Sequence, residues 1–376
     1  MFDHKYRITG KVAKALMGIE ADRQIVATLP LTAPMLDSLR RTARLLSTHF
    51  STQIEGNRLS PSQVQAVVEG EGNFPGRERD EAEVRHYFAA LEFVEDRGDH
   101  PAVLAEKEIQ NIHGLVMTGK AKPTPYRDGQ NVIRNARTGG IVYMPPEAKD
   151  VKGLMKELVR WVNGSVTEAE LPVPVVVALA HYQFATIHPY FDGNGRTARL
   201  LTNLLLHRSG YGLNGIYSLE EYYAANLDRY YAGLAVGDSH NYYFGRAEGD
   251  VPPFVTYFCL GMADAFAKVR TRAEEASRLD AADQSPVLRT LTPQQRQALG
   301  LFLRMKEVTR NDVAAFFKLP ARQAYLLCTR WLKAGFLVVG NSSTKGRSYR
   351  LADEYEGVVS PAATPVTKPR KPKPKR

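Results

Sequence analysis

The chain has 376 residues, 44% of them hydrophobic and 24% charged; this is an ordinary globular composition that excludes a wholly disordered protein and leaves room for two or three domains at roughly 100–200 residues each. The formal net charge of +10 is unevenly placed, because Lys368, Arg370, Lys371, Lys373, Lys375 and Arg376 form a basic tail with no acid after residue 359. Two cysteines, Cys259 and Cys328, exclude a disulfide framework, no apolar run reaches the roughly 18 residues of a membrane-spanning helix, and the first residues lack the apolar stretch of a secretory signal, so the expectation is a cytoplasmic chain without membrane contact.

Leu36, Leu39, Ala43, Leu46, Phe50 and Ile54 recur at steps of three and four and predict an amphipathic helix over 35–55, stopped by Gly56. Ser60-Pro61-Ser62-Gln63 reads as an N-cap, a first-turn proline and a capping-box glutamine. Helices follow at 81–97, 104–118 and 151–163, the last with Asp150 as its cap. Two short apolar runs, 131–134 and 141–144, flank Gly139-Gly140 and end at Pro145-Pro146, which predicts a β-hairpin over 131–146. A helix over 175–187 runs into a polar loop, and a second apolar helix occupies 196–208. The polar stretch 276–290 reads as a linker. Beyond it, helices at 293–305, 309–317 and 321–334 precede two strands, 336–339 and 348–351, the order of a winged helix-turn-helix over 291–355; residues 356–376 read as a disordered basic tail. The fold class is mainly α.

The strongest feature is His188-Pro189-Tyr190-Phe191-Asp192-Gly193-Asn194-Gly195-Arg196-Thr197-Ala198-Arg199. Pro189 ends the preceding helix and projects His188 into the mouth of a loop. Gly193 and Gly195 let backbone amides approach a ligand, and the loop opens a helix whose first amides carry a positive dipole end. Arg196 and Arg199, three apart, add two guanidinium groups at that same end. Together these describe a polyphosphate site. Asp192 adds a hard oxygen suited to Mg²⁺ beside phosphates, and His188 a base. Taken singly, each of these residues has a bland structural reading; twelve residues that aim all of them at one helix end do not. No G-x-x-x-x-G-K-[ST] sequence occurs, so the cradle is not the Walker type.

The segment resembles the signature of the Fic (Fic/Doc) family, HPFxxGNGRxxR, with Tyr190 where the pattern has Phe, and the resemblance extends over about 30–265. It implies a Fic-type helical bundle with a β-hairpin flap over the site, and transfer of AMP from ATP to a Ser, Thr or Tyr hydroxyl of a protein. His188 would be the base that deprotonates the hydroxyl, and Asp192 would place Mg²⁺. Gly193, Asn194 and Gly195 would form the anion hole, and Arg196 and Arg199 would hold the β- and γ-phosphates. Tyr230 and Tyr231 would line the adenosine pocket. Gly140, Ile141, Val142 and Tyr143 of the flap would pair with the target by strand addition.

A second string, residues 51–57, matches that family's inhibitory pattern [ST]xxxE[GN] through Ser51, Glu55 and Gly56. The resemblance implies that Glu55 pairs with Arg199 and takes the space of the γ-phosphate. Some relatives use this glutamate to remove AMP as well. A homodimer is left open. The domain reading is therefore 1–275 for the N-terminal helices and catalytic domain, a linker at 276–290, the winged helix at 291–355 and the tail. Arg322, Arg330, Lys333, Lys345 and Arg347 would face DNA or a protein partner. Two other functions stay in view: a DNA-binding regulator with a nucleotide-sensing core, and transfer of a group other than AMP. His113 and His181 read as core residues, and no cluster has zinc spacing.

Overall fold

A computed structural model of the chain describes residues 6–359 apart from 99–101, 135–137, 169, 236–238, 247–250, 281–289, 303–304, 318 and 342–346. The structure is mainly helical and falls into two compact units, Met1–Leu29 with Ser38–Glu275, and Pro30–Asp37 with Ala276–Arg376. No helix among the described residues is long and apolar enough to cross a membrane.

In chain order the first part holds α1 (Gly10–Thr28), α2 (Ala33–Ile54), α3 (Pro61–Val68), α4 (Glu78–Gly98), α5 (Glu106–Thr118), a hairpin of β1 (Ile133–Arg134) and β2 (Ile141–Tyr143), α6 (Ala148–Glu168), α7 (Val173–Ile187), α8 (Asn194–Arg208), α9 (Glu220–Ala225), α10 (Leu227–Leu234) and α11 (Pro252–Asp280). Helix α7 is the centre. Its sequence VPVVVALAHYQFATI is apolar on every side and rich in β-branched residues of modest helix propensity, so burial rather than local preference holds it. Only Val173 and Ala185 escape full burial. Helices α6 and α8 pack against α7, and α8 also packs on α4 and α5.

The expected capping box at Ser60 is present: its hydroxyl accepts from the Gln63 amide while the Gln63 side chain accepts from the Ser60 amide. Gly56 takes φ +95 just past α2, the left-handed conformation that stops a helix. Asp150, in contrast, does not cap α6, which starts at Ala148; Asp150 lies in the first turn, where its carboxylate accepts from the Tyr243 hydroxyl. Helix α1 escapes sequence periodicity because its buried stripe of Val12, Ala15, Ile19 and Val26 includes Asp22, which pairs with Arg270 on α11 at 2.8 Å.

The second part continues with α12 (Pro293–Phe302), β3 (Val308–Thr309), α13 (Arg310–Phe317), α14 (Ala321–Lys333), β4 (Leu337–Asn341), β5 (Ser348–Leu351) and α15 (Asp353–Val359). The sheet has three antiparallel strands in the order β3-β5-β4; β3 is only two residues long, too short to show in the sequence. Thr309 and Asp312 close a reciprocal cap at the start of α13. Ala324, Leu327, Cys328 and Trp331 form the buried stripe of α14, facing Val308, Val313, Phe336 and Leu351. Helix α11 continues to Asp280, past the expected linker start, and α15 occupies residues assigned to the tail. Residues 281–289 of the linker, Lys345 and 360–376 of the tail lie outside the described residues.

Phe336 has no exposure and packs edge-on against Trp331 and Tyr355, with ring centroids 5.5 and 5.4 Å apart. Phe336→Ala should cost about 3–5 kcal/mol. In a Trp161→Phe background, where Trp331 is the sole tryptophan, the urea midpoint of its fluorescence should fall by about 1 M or more; an unchanged midpoint would contradict this packing.

Candidate active site

Helix α7 stops because Pro189 follows His188, and His188 takes the left-handed conformation, φ 50 and ψ 59. This is uncommon for a side-chain-bearing residue, with histidine among the better tolerated. Helix α8 begins at Asn194, two residues before its expected start. The turn is therefore tight, and the amides of Asn194, Gly195 and Arg196 come before the first intrahelical bond, from Thr197 N–H to the Gly193 carbonyl at 3.0 Å. Gly193 caps the helix at φ 75, and a Cβ there would lie 2.7 Å from the Met117 sulfur.

The loop is braced from inside. The Asn194 side chain accepts from the Tyr190 amide at 2.9 Å and donates to the Tyr190 carbonyl at 2.8 Å, so the side chain is a strut while its amide faces outward. His113, expected to be a plain core residue, stacks on Tyr190 with centroids 3.5 Å apart, and its Nε2 meets the Asp192 carbonyl at 2.9 Å. Tyr190 is thus a buried anchor, as an aromatic at that place should be.

Arg199 is 1% exposed. Its Nε donates to the Ser51 hydroxyl at 2.7 Å, and one terminal nitrogen donates to the Ser51 carbonyl at 2.9 Å and to Glu55 Oε1 at 2.8 Å. The same carboxylate lies over the first turn of α8, where a Cβ on Gly195 would come within 2.3 Å of Oε1. Burial would push the Arg199 guanidinium down, but Glu55, with Tyr230 and Tyr87, more than offsets it and holds the group above its ordinary value. Arg196, equally buried, turns toward α4: its terminal nitrogens lie 3.7 Å from Glu83 and 3.3 Å from Asp192. The two arginines leave the same helix end in different directions.

Asp192 is 56% exposed at its side chain; one oxygen accepts from the Gly193 amide and from Arg196. Among the described residues no group of three or more His, Cys, Asp or Glu gathers there or elsewhere. A lone, open carboxylate fits a magnesium ion that keeps waters and takes its remaining ligands from phosphates.

His188 is half-buried, and its Nδ1 lies 3.4 Å from the Ala185 carbonyl. Burial first, then the charge of Arg127, holds the imidazole down at about 4; the Ala185 carbonyl, Glu55 and Asp192 pull the other way. Glu55 and Asp192, which pair with Arg199 and Arg196, both also act electrostatically on the ring.

The described part of the flap is anchored at its base. In β2, Ile141 and Val142 are exposed, while Tyr143 is buried and donates to the Thr186 carbonyl at 2.7 Å. Tyr143 is therefore an anchor rather than part of an open edge. Beyond it, Met144 bridges to Asn241, with its amide donating to the His240 carbonyl at 2.7 Å. Gly140 precedes β2 and is exposed; residues 135–137 at the tip lie outside the described residues. Tyr230 is buried and its hydroxyl meets His181 Nε2 at 2.8 Å, so it backs the site rather than lining an open pocket. Tyr231 is 50% exposed beside it and feels both Glu55 and Arg199. Sequence reasoning missed Arg127, Glu83, Tyr87 and Glu220. No local pattern marks them, because each works through partners distant in the chain.

Residues 103–206 match the family model described as Fic/DOC family. Over that stretch the chain is similar to the Fic/DOC family. It is 27% identical over 245 residues to a protein adenylyltransferase Fic from Drosophila ananassae and 28% identical to one from Drosophila erecta, covering 65% of this chain and 45% of each relative. The chain thus spans about half the length of these curated relatives. A Fic family protein from Desulfovibrio desulfuricans G20 matches with a TM-score of 0.58 and 25% identity, covering 94% of this chain and 99% of that one. Fic-1 from C. elegans matches at 0.54 and 26%, covering 70% and 73%. The Fic fold is therefore observed in structures that share these helices.

Burial also sets the acid response of these helices. His188 and His207 are each held down at about 4 and His181 at about 3, all chiefly by burial, against about 6.5 in an unfolded chain. Between these values the unfolded chain binds more protons, so stability is full above pH 6.5 and is lost as pH falls toward 4. The melting temperature should drop across that window, and His188→Gln should make the drop shallower. An equal slope in both proteins would show that His188 is not desolvated.

Proposed function

We propose that this chain is a protein adenylyltransferase that moves AMP from ATP to a Ser, Thr or Tyr hydroxyl of a target protein, and that Glu55 restrains it. The observation that carries the reading is one short segment in which His188 ends α7, the first amides of α8 follow at once, and Arg196 and Arg199, both buried, leave the first turns of α8. His188 accepts the proton of the target hydroxyl as its oxygen attacks the α-phosphorus; the bond from that phosphorus to the bridging oxygen breaks and pyrophosphate leaves. The amides and Arg199 stabilise charge on the phosphate oxygens, and most of the catalysis is positioning and electrostatics. Asp192 would hold Mg²⁺, whose role when bound is to neutralise the phosphates. Ile141 and Val142 offer the exposed stretch of flap to the target strand. The Glu55–Arg199 contact at 2.8 Å keeps the γ-phosphate from its place.

Intact-mass analysis after incubation with Mg²⁺ and ATP tests both parts. Glu55→Gly should raise AMP incorporation at least about tenfold over wild type, a difference of roughly 1.4 kcal/mol. His188→Ala in that background should lower it by about 10²–10⁴. Added phosphate or another group in place of AMP would favour the other transfer chemistry, and equal incorporation by all three proteins would sink the scheme.

For residues 291–355 we infer a winged helix that contacts DNA. Helix α14 contains no acid, and its exposed side carries Arg322, Gln323, Arg330 and Lys333, residue types that read base edges and phosphates. Exposed Tyr325 and Leu326 on the same helix are the feature that a protein partner would use instead. Binding of a mixed-sequence duplex by the full chain should weaken steeply between 50 and 200 mM salt, and Arg330→Ala with Lys333→Ala should flatten the salt slope by about two. A slope unchanged in the double variant would direct attention to a protein partner.

A further inference from the structure

Arg127 lies just before the flap hairpin and is 3% exposed. Among the described residues its guanidinium meets no carboxylate. It donates instead to three backbone carbonyls from three separate segments: Nε to His188 at 3.0 Å, one terminal nitrogen to Gly129 at 3.0 Å, and the other to Pro146. Its own amide donates to the Pro189 carbonyl at 2.9 Å. A buried guanidinium is costly unless its donors are used, and this one places three of its five on backbone carbonyls.

The three carbonyls are informative. Gly129 lies on the way into the hairpin and Pro146 on the way out, so two donors fix both roots of the flap. The third fixes the peptide of His188, the residue held in the left-handed conformation between α7 and the loop that opens α8. Asn131 adds to the same seam, donating to the Tyr190 carbonyl at 3.3 Å. The flap and the histidine are otherwise built from distant parts of the chain, and a planar fork is the side chain that can hold both at a fixed distance; a lysine offers a point charge instead.

We infer that Arg127 is a positioning residue that sets the register between the flap, where a target hydroxyl would be presented, and the base that would accept its proton. It touches neither reactant. The inference rests on the transfer reading for its kinetic consequence, and on backbone geometry alone for its structural one.

The test uses the full chain with Glu55→Gly as parent, carrying Arg127→Lys or Arg127→Gln, with Mg²⁺ and α-labelled ATP as the probe and self-modification as the readout. Arg127→Lys should lower the maximal rate by about ten- to a hundredfold, as a misplacement of about an ångström does. The ATP concentration for half-maximal rate should stay within about threefold, because the phosphate cradle is not touched. Hydrogen exchange, which needs no turnover, should show residues 128–146 and 185–190 loosening together in the lysine variant while the interior of α8 is unchanged. A maximal rate within twofold of the parent, or loosening confined to one of the two segments, overturns the inference, as does a rise in half-saturating ATP that matches the loss in rate. If the Glu55→Gly parent transfers no AMP, the transfer reading fails by itself, and the exchange pattern decides the role of Arg127. Should Arg127→Gln fail to fold, the lysine variant, which keeps the charge, carries the test.

Discussion

A guanidinium with 1% exposure must be answered by the protein around it, and the packing near Arg199 is organised by that demand. The answer comes from one stripe of α2. Ser47 and Ser51 on α2 are buried, and Glu55, one residue past its end and partly exposed, continues the same spacing of four, so this edge supplies both oxygens of Ser51 and the carboxylate of Glu55. Below it the fully buried Glu220 accepts from Ser47, Tyr87, Asn203 and Ser218, and Tyr87 in turn shares a bond with Ser51. The network ties α2, α4, α8 and the start of α9 to a single cation.

That arrangement makes the restraint a matter of exchange. Removing one partner from a buried pair leaves an uncompensated charge, which is strongly unfavourable. On the proposed reading, an incoming phosphate would not leave Arg199 bare; it would replace one anion with another while the two Ser51 contacts persist. Glu55 is 30% exposed at its side chain, whereas Arg199 is not, so the acid can turn into water and the guanidinium stays in place. The balance between closed and open states then depends on the difference between a carboxylate and a phosphate at one site, and small biases in α2 can shift it.

Much of this was legible in the sequence because it is local. The helix–proline–glycine punctuation of 188–199, the hairpin signals of 131–146 and the string 51–57 each sit within sixteen residues or fewer, and α2 announces itself by periodicity, α7 and α8 by apolar runs. What could not be read is what depends on partners far along the chain. The side chain of Asn194 turns back to brace Tyr190, Tyr143 and Tyr230 point inward, and His113 supports the loop by stacking; apolar or polar character alone does not choose between those directions. Arg127 and Glu220 stand in unremarkable local sequence, and their importance appears only when residues from other elements converge on them. Helix α1 is the complementary case: one buried Asp, satisfied by an Arg on α11, is enough to erase the stripe that would have revealed it.

Gly195 shows how little freedom the junction has. A Cβ there would meet Glu55 Oε1 at 2.3 Å and an Arg199 nitrogen at 3.3 Å, so any side chain would compete with the restraining carboxylate for its position. Yet Gly195 lies inside the first turn of α8, where glycine carries a conformational cost of roughly 0.5–1 kcal/mol relative to alanine. That cost is borne for access to the backbone. The same bare turn that lets Glu55 lie against the helix start also exposes amides to whatever anion takes its place, so a residue that blocked the carboxylate would block the phosphate as well. On the proposed reading, restraint and binding would be served by one vacancy in the side-chain packing, and a substitution at 195 would disturb both.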